Sequence, residues 1–304
     1  MELLKSLCNV FAPSGNEVAM KNFILAYIYN HQQTWKVKPL IFEGDEFQDC
    51  LVLVFGKPRT AVFAHMDSIG FTVRYDNKLV PIGGPEMETG FELIGRDTKG
   101  EIETKLVYDE QTNYLAIDSQ RAIDPGTELV FKSNFRETDE YVQSCYLDNR
   151  LGCWVALQLA ETLEDGIICF STFEEHGGGA VPFLAKFIYE NYAVKQALIA
   201  DITWVTEGVK HGKGVALSLR DRNIPRRCFV DKIIDLARKS NIPFQIEVEG
   251  SGSSDGRELQ TSPYPFDWMF IGAPEDGVHS PNEKVFKSDI HAMVQMYQYL
   301  MKHL

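Results

Sequence analysis

Leu51-Val52-Leu53-Val54-Phe55 and, a short turn later, Thr60-Ala61-Val62-Phe63-Ala64 are two unbroken apolar runs of strand length. The second passes directly into His65-Met66-Asp67-Ser68-Ile69-Gly70. A strand with one wet face alternates apolar and polar residues, whereas a strand that is apolar throughout is covered on both faces, as in a parallel sheet between helices. Upstream, Ser14-Gly15-Asn16-Glu17 precedes an amphipathic run that predicts a helix over 18–31. Downstream, the patterning predicts helices over 151–163, 180–190, 228–240 and 290–304, interleaved with strands over 166–172, 197–201, 215–219, 244–248 and 268–272. Alternation of this kind defines an α/β fold with a doubly wound, mostly parallel sheet flanked by helices.

Residues 75–140 break the pattern. Short β-type pieces (79–82, 105–108, 114–117, 128–131) are separated by Gly83-Gly84, Lys99-Gly100 and Asp124-Pro125-Gly126, with no long helical period. The expected organisation is a discontinuous α/β catalytic domain, residues 1–74 and 141–304, carrying a small all-β insert over 75–140.

Composition narrows the function. The 304 residues carry 30 Lys and Arg against 43 Asp and Glu, a net charge of −13. Such an acid excess argues against a nucleic-acid partner, which needs a basic stripe, and against binding to anionic lipid. The longest apolar run, Phe23 to Tyr29, falls far short of the roughly 20 residues of a membrane span. The opening MELLKSLCNVFAPSG lacks the pattern of an export signal, so a cytoplasmic location is expected. Cys8, Cys50, Cys145, Cys153, Cys169 and Cys228 are scattered without a C-x-x-C pair and read as reduced thiols.

Chemistry-bearing residues concentrate where the predicted strands end, the place where open α/β sheets bind ligands. His65 and Asp67 share one side of an extended segment, so the carboxylate can orient the imidazole. Asp148, in Leu147-Asp148-Asn149-Arg150, precedes a helix, and on its own reads first as a plain N-cap. Glu174-Glu175 leads into His176-Gly177-Gly178-Gly179; adjacent carboxylates can divide the work of metal ligand and general base. Asp201 ends an apolar strand, and His279 lies in Gly277-Val278-His279-Ser280-Pro281. Together these supply imidazoles and carboxylates without thiolate, a donor set suited to two borderline dications that activate a water and polarise a carbonyl.

With these motifs in order, the sequence resembles the M42 metallo-aminopeptidases, of the glutamyl and deblocking aminopeptidase type. The resemblance runs nearly end to end, through Phe11-Ala12-Pro13-Ser14-Gly15, His65-Met66-Asp67, Leu147-Asp148-Asn149-Arg150, Glu174-Glu175, Asp201, Gly212-Lys213-Gly214 and His279-Ser280-Pro281. It implies His65 and Asp201 on one metal, Glu175 and His279 on the other, Asp148 bridging both, Glu174 as general base and Asp67 supporting His65. It further implies two divalent ions (zinc first, cobalt or manganese as alternatives), peptide substrates and a homo-oligomer, dimer or larger. The chain departs from the family pattern at His176, where relatives carry a small apolar residue, and in Ala273-Pro274-Glu275-Asp276 before His279.

Competing readings are fewer. Gly252-Ser253-Ser254-Asp255-Gly256 fits the G-x-S-x-G elbow of serine hydrolases, with Ser254 as nucleophile. That reading leaves His65, Asp148, Glu174, Glu175 and Asp201 without a task. A two-metal deacylase on acylated amino acids keeps the whole set. A glycanase uses the carboxylates but not the histidines, and a non-catalytic relative would have lost a ligand or the base.

Overall fold

The computed structural model describes residues 1–304. Its main sheet has 11 strands. Along the principal path these are Leu40–Phe42, Leu51–Phe55, Gly166–Ser171, Ala61–His65, Gln196–Trp204, Asp267–Asp276, Glu283–Phe286, Tyr141–Ser144 and Arg136–Glu137. The four central strands, from Gly166–Ser171 to Asp267–Asp276, pair parallel, and the flanking strands of this path pair antiparallel. Val215–Ser218 and Phe244–Glu247 form a branch on the Asp267–Asp276 strand.

The apolar runs are continuous because each strand serves two cores. Leu51, Leu53 and Phe55 face a cluster of 49 buried residues, while Val52 and Val54 face another of 19 across the sheet. The same split divides Val62 and Ala64 from Ala61 and Phe63, and Leu198 and Ala200 from Ala197 and Ile199. Helices Val18–His31, Leu147–Ala160, Arg227–Ser240 and Lys287–His303 cover the larger core, and Val181–Tyr192 covers the smaller. No helix is long and apolar enough to cross a membrane.

A second sheet of six antiparallel strands orders as Leu79–Ile82, Gly70–Val73, Glu128–Phe131, Glu92–Asp97, Gly100–Asp109 and Tyr114–Ile117. A bridge between Lys78 and Ala116 draws its two ends together, which shields the edges. The sheet encloses its own core of 14 residues. It starts at Gly70, inside the first segment assigned to the α/β unit from sequence; Gly70-Phe71-Thr72-Val73 follows the His65 loop so closely that no turn signal separates them.

Other boundaries shift for identifiable reasons. Asp148 and Asn149 lie in the first turn of the Leu147–Ala160 element with non-helical dihedrals, so regular helix begins just beyond them. The strand predicted to end at Gly272 runs on to Asp276, because Glu275 and Asp276 pair with Val285 and Lys284. Its acidic end hid that continuation.

Tyr297, fully buried on the C-terminal helix, donates its hydroxyl to Ile199 O at 2.6 Å and lies 2.9 Å from Ile271 O. Those carbonyls belong to the two strands carrying Asp201 and Glu275. Tyr297→Phe leaves both without this partner, and urea denaturation is expected to show a loss of about 1–3 kcal/mol with an unchanged slope.

Candidate functional site

The parallel register assembles the site. Ser171 pairs with His65, and Ile199 pairs with Phe63, so continuing that register sets Asp201 level with His65 at the carboxyl ends of adjacent strands. Glu174 and Glu175 follow three and four residues beyond Ser171. The helix bearing Asp148 is held close to the Asp201 strand at Gly152, where an added Cβ would come within 2.1 Å of Ala200 O and 2.2 Å of Asn149 Oδ1. Asn149 ties the same elements, donating from Nδ2 to Ala200 O at 2.8 Å.

His65, Asp148 and Asp201 form one group able to hold a metal ion, and Asp148, Glu175 and His279 form a second. Asp148 belongs to both. Its Oδ1 lies 3.2 Å from His65 Nε2 and its Oδ2 3.3 Å from His279 Nε2. Asp201 Oδ2 is 3.5 Å from His65 Nε2, and Glu175 Oε2 is 3.2 Å from His279 Nε2. Glu174 belongs to neither group; its Oε2 is 3.9 Å from His65 Nε2 and it lines the adjoining cavity.

Neighbours fix the orientation of these groups. Asp67 faces His65 Nδ1 at 3.4 Å and accepts the backbone N–H of Glu174 at 3.1 Å and of Glu175 at 3.0 Å. One carboxylate thus aligns a histidine and both glutamates. His279 Nδ1 sits 3.0 Å from Gly84 O, which favours the tautomer with the proton on Nδ1 and leaves Nε2 toward Asp148 and Glu175. Gly84 lies in the loop leaving the second sheet's Leu79–Ile82 strand.

Burial and crowding set the electrostatics. Burial pushes Glu174 well above the usual carboxylate range, with Glu175 and Asp201 adding to the rise and His65 opposing it. Burial, then Asp148, raises Glu175 to about 7. Asp201 is also raised, by burial and then by Asp148. Asp148 itself is lowered, since the facing imidazoles of His279 and His65 outweigh its burial. Both imidazoles are raised despite burial, His65 chiefly by Asp201 and His279 chiefly by Asp148 and then Glu175.

The donor set fits divalent ions. Asp148 Oδ1, Glu175 Oε1 and His65 Nδ1 are buried without a hydrogen-bond partner. Concentrated carboxylates with unsatisfied oxygens are unfavourable unless compensated by cations.

Ser254 is buried and donates to Asp201 Oδ2 at 2.7 Å. Its hydroxyl meets a carboxylate where a triad serine meets an imidazole, so the geometry does not form a serine triad. His176 is exposed and accepts the Gly83 N–H at Nδ1, 3.0 Å away.

Sequence reasoning missed three supports. Glu283, fully buried, accepts the N–H of Asp148 at 3.1 Å and of His279 at 3.0 Å, clamping the two segments that carry them. Its position four residues beyond His279 was the available signal. Arg150, also fully buried, donates to the carbonyl of Met66 and lies within 3.4 Å of those of Asp67 and Ala12. Glu275 is buried beside Glu283 with neither carboxylate oxygen partnered, and burial holds its pKa high.

The family model of the M42 glutamyl aminopeptidases matches residues 96–296. A chain from Acetivibrio thermocellus that carries a provisional aminopeptidase name is 26% identical, with 97% of this chain and 96% of that one covered. Aminopeptidase APDkam598 of Desulfurococcus kamchatkensis superposes with a TM-score of 0.87 at 21% identity, covering 100% of this chain and 94% of that one. The TET1 peptidase of Pyrococcus horikoshii, which can assemble into a tetrahedron or a large octahedral shell, gives a TM-score of 0.81 at 22% identity. That match covers 98% of each chain.

Two outcomes are expected. Zinc added to chelator-treated protein raises the thermal midpoint with increasing free metal, by the equivalent of about 2.7 kcal/mol at a hundredfold excess over Kd. A calorimetric midpoint indifferent to zinc, cobalt and manganese would remove the metal assignment. Gly152→Ala, which forces Asn149 and the Asp201 strand apart, costs about 1–3 kcal/mol in stability and weakens zinc retention on dialysis.

Proposed function

Since the chain belongs to the M42 glutamyl aminopeptidase family, we propose that it is a metal-dependent aminopeptidase, releasing the N-terminal residue of peptides with Glu174 as general base. The observation that carries this reading is the sharing of Asp148 by two ligand groups, with Glu174 left outside both at the cavity wall. His65 and Asp201 would hold one divalent ion, Glu175 and His279 the other, and Asp148 both. Zinc suits these donors, and cobalt or manganese would be accepted. When bound, the pair of ions lowers the pKa of a water and polarises the scissile carbonyl.

The protein's own groups do the rest. Glu174 accepts a proton from the attacking water as its oxygen bonds to the carbonyl carbon. The same carboxyl then gives that proton to the leaving nitrogen as the C–N bond breaks. The products are an amino acid, whose new carboxylate contains the water oxygen, and a peptide shortened by one residue. Asp67 keeps Glu174 and Glu175 in place through their backbone N–H groups. A homo-oligomer, dimer or larger, accords with the shells of the Pyrococcus relative, and light scattering tests it.

Glu174→Gln preserves shape but removes the base. Hydrolysis of aminoacyl-anilides is expected to fall by a factor of about 10²–10⁴ in kcat, while zinc content stays at the wild-type level. Undiminished turnover in that variant, or activity that survives complete metal removal, would sink the mechanism.

A further inference from the structure

We propose that the cavity beside the ligand groups is built for a cationic side chain, so that the preferred N-terminal residue is lysine or arginine; this rests on the aminopeptidase reading above. The cavity, about 310 Å³, is lined at one end by Asp148, Glu175 and His279. Its remaining carboxylates include Asp221, Glu247, Glu249 and Glu258.

Two of these are nearly inaccessible: Glu247 is 3% exposed and Asp221 8%. Their hydrogen-bond partners are uncharged, and Glu247 also has the Ser218 hydroxyl beside it. Glu247 accepts from the Thr203 hydroxyl on Oε1, and Asp221 accepts from Asn223 on Oδ1. No ion pair neutralises either carboxylate. Arg220 Nε donates to the Asp221 backbone carbonyl at 3.1 Å. Arg257, the one arginine or lysine lining the cavity, lies 3.8 Å from Glu258, so the carboxylates of the lining still outnumber it. Carboxylates buried at a cavity wall without an ion pair are stabilised by a cation that enters it.

Position and shape agree with this charge. Thr203 follows Asp201 by two residues on one strand, so both side chains point to the same face, roughly 6.6 Å apart. Glu247, which accepts from Thr203, lines the same cavity as Asp201. Trp204, 40% exposed, and Phe270 supply apolar wall. An aliphatic stem can lie along such a wall while the charged head reaches the carboxylates. Gly252 packs against the Trp204 ring, where even a Cβ would stand 3.4 Å away.

The test compares Lys-, Arg-, Leu- and Glu-p-nitroanilides with the zinc-loaded wild-type enzyme and with Glu247→Gln, Asp221→Asn and the double variant. Expected is a kcat/KM for the Lys and Arg substrates at least about tenfold above Leu, a ratio that shrinks about tenfold or more in the double variant. Calorimetry on the zinc-loaded Glu174→Gln protein gives a readout independent of turnover: L-lysinamide should bind at least about tenfold tighter than L-norleucinamide, whose side chain lacks the charge. Preference for Leu or Glu in the wild type, or equal binding of the two amides, overturns the proposal even if the variants fail to fold. Loss of all anilide hydrolysis with lysinamide selectivity intact would instead overturn the aminopeptidase reading and leave the cationic pocket standing.

Discussion

One carboxylate, Asp148, sets the terms for the rest of the site. Its two oxygens face two histidines from opposite ends of the chain, His65 at 3.2 Å and His279 at 3.3 Å. A side chain serving two partners tolerates little displacement, since any shift toward one is a loss at the other. The surrounding structure supplies that rigidity. Glu283 holds the Asp148 and His279 backbones together, Asn149 ties the turn to Ala200, and Arg150 pins the His65 loop through the Met66 carbonyl. Most of these contacts involve main-chain groups, which are less free to move than side chains and so transmit the stiffness of the sheet directly.

The fold was legible because its signals are local. Unbroken apolar runs at 51–55 and 60–64 reported burial on two faces, and the two cores on either side of Leu51–Phe55 and Ala61–His65 account for each apolar residue in those strands. What escaped was strand whose polarity serves something other than the core. Glu275 occupies a central strand while buried and unpartnered, and Glu283 opens the next strand over. A carboxylate at such a position reads as turn or surface in sequence, since buried acids are rare unless function retains them. The antiparallel flanks of the main sheet escaped as well, because pairing partners distant in sequence leave no local periodicity.

Site residues divide in the same way. His65, Asp148, Glu174, Glu175, Asp201 and His279 could be picked out because they sit at strand ends within compact motifs, and the structure draws them into one cluster. Ser254 shows the converse. Its G-x-S-x-G context is genuine, yet the hydroxyl is directed to Asp201. A motif specifies which atoms can react; only the fold specifies which atoms they meet.

The second sheet is more than an appendage to this arrangement. Its loop places Gly84 O against His279 Nδ1 and gives the Glu86 N–H to His279 O at 2.9 Å. Gly83 is positioned by the same contact zone, with a positive φ and room for no Cβ between Ile69 and the Glu175 carbonyl. The side chain and carbonyl of His279 are therefore held from the second sheet, while its N–H is held by Glu283 of the main sheet. A rearrangement of the second sheet would alter the aim of the His279 imidazole through Gly84. The inserted sheet thus belongs to the working geometry of the site, and the two groups that share Asp148 differ in kind: the one with His65 and Asp201 rests on the main sheet alone, the one with His279 on the junction between sheets.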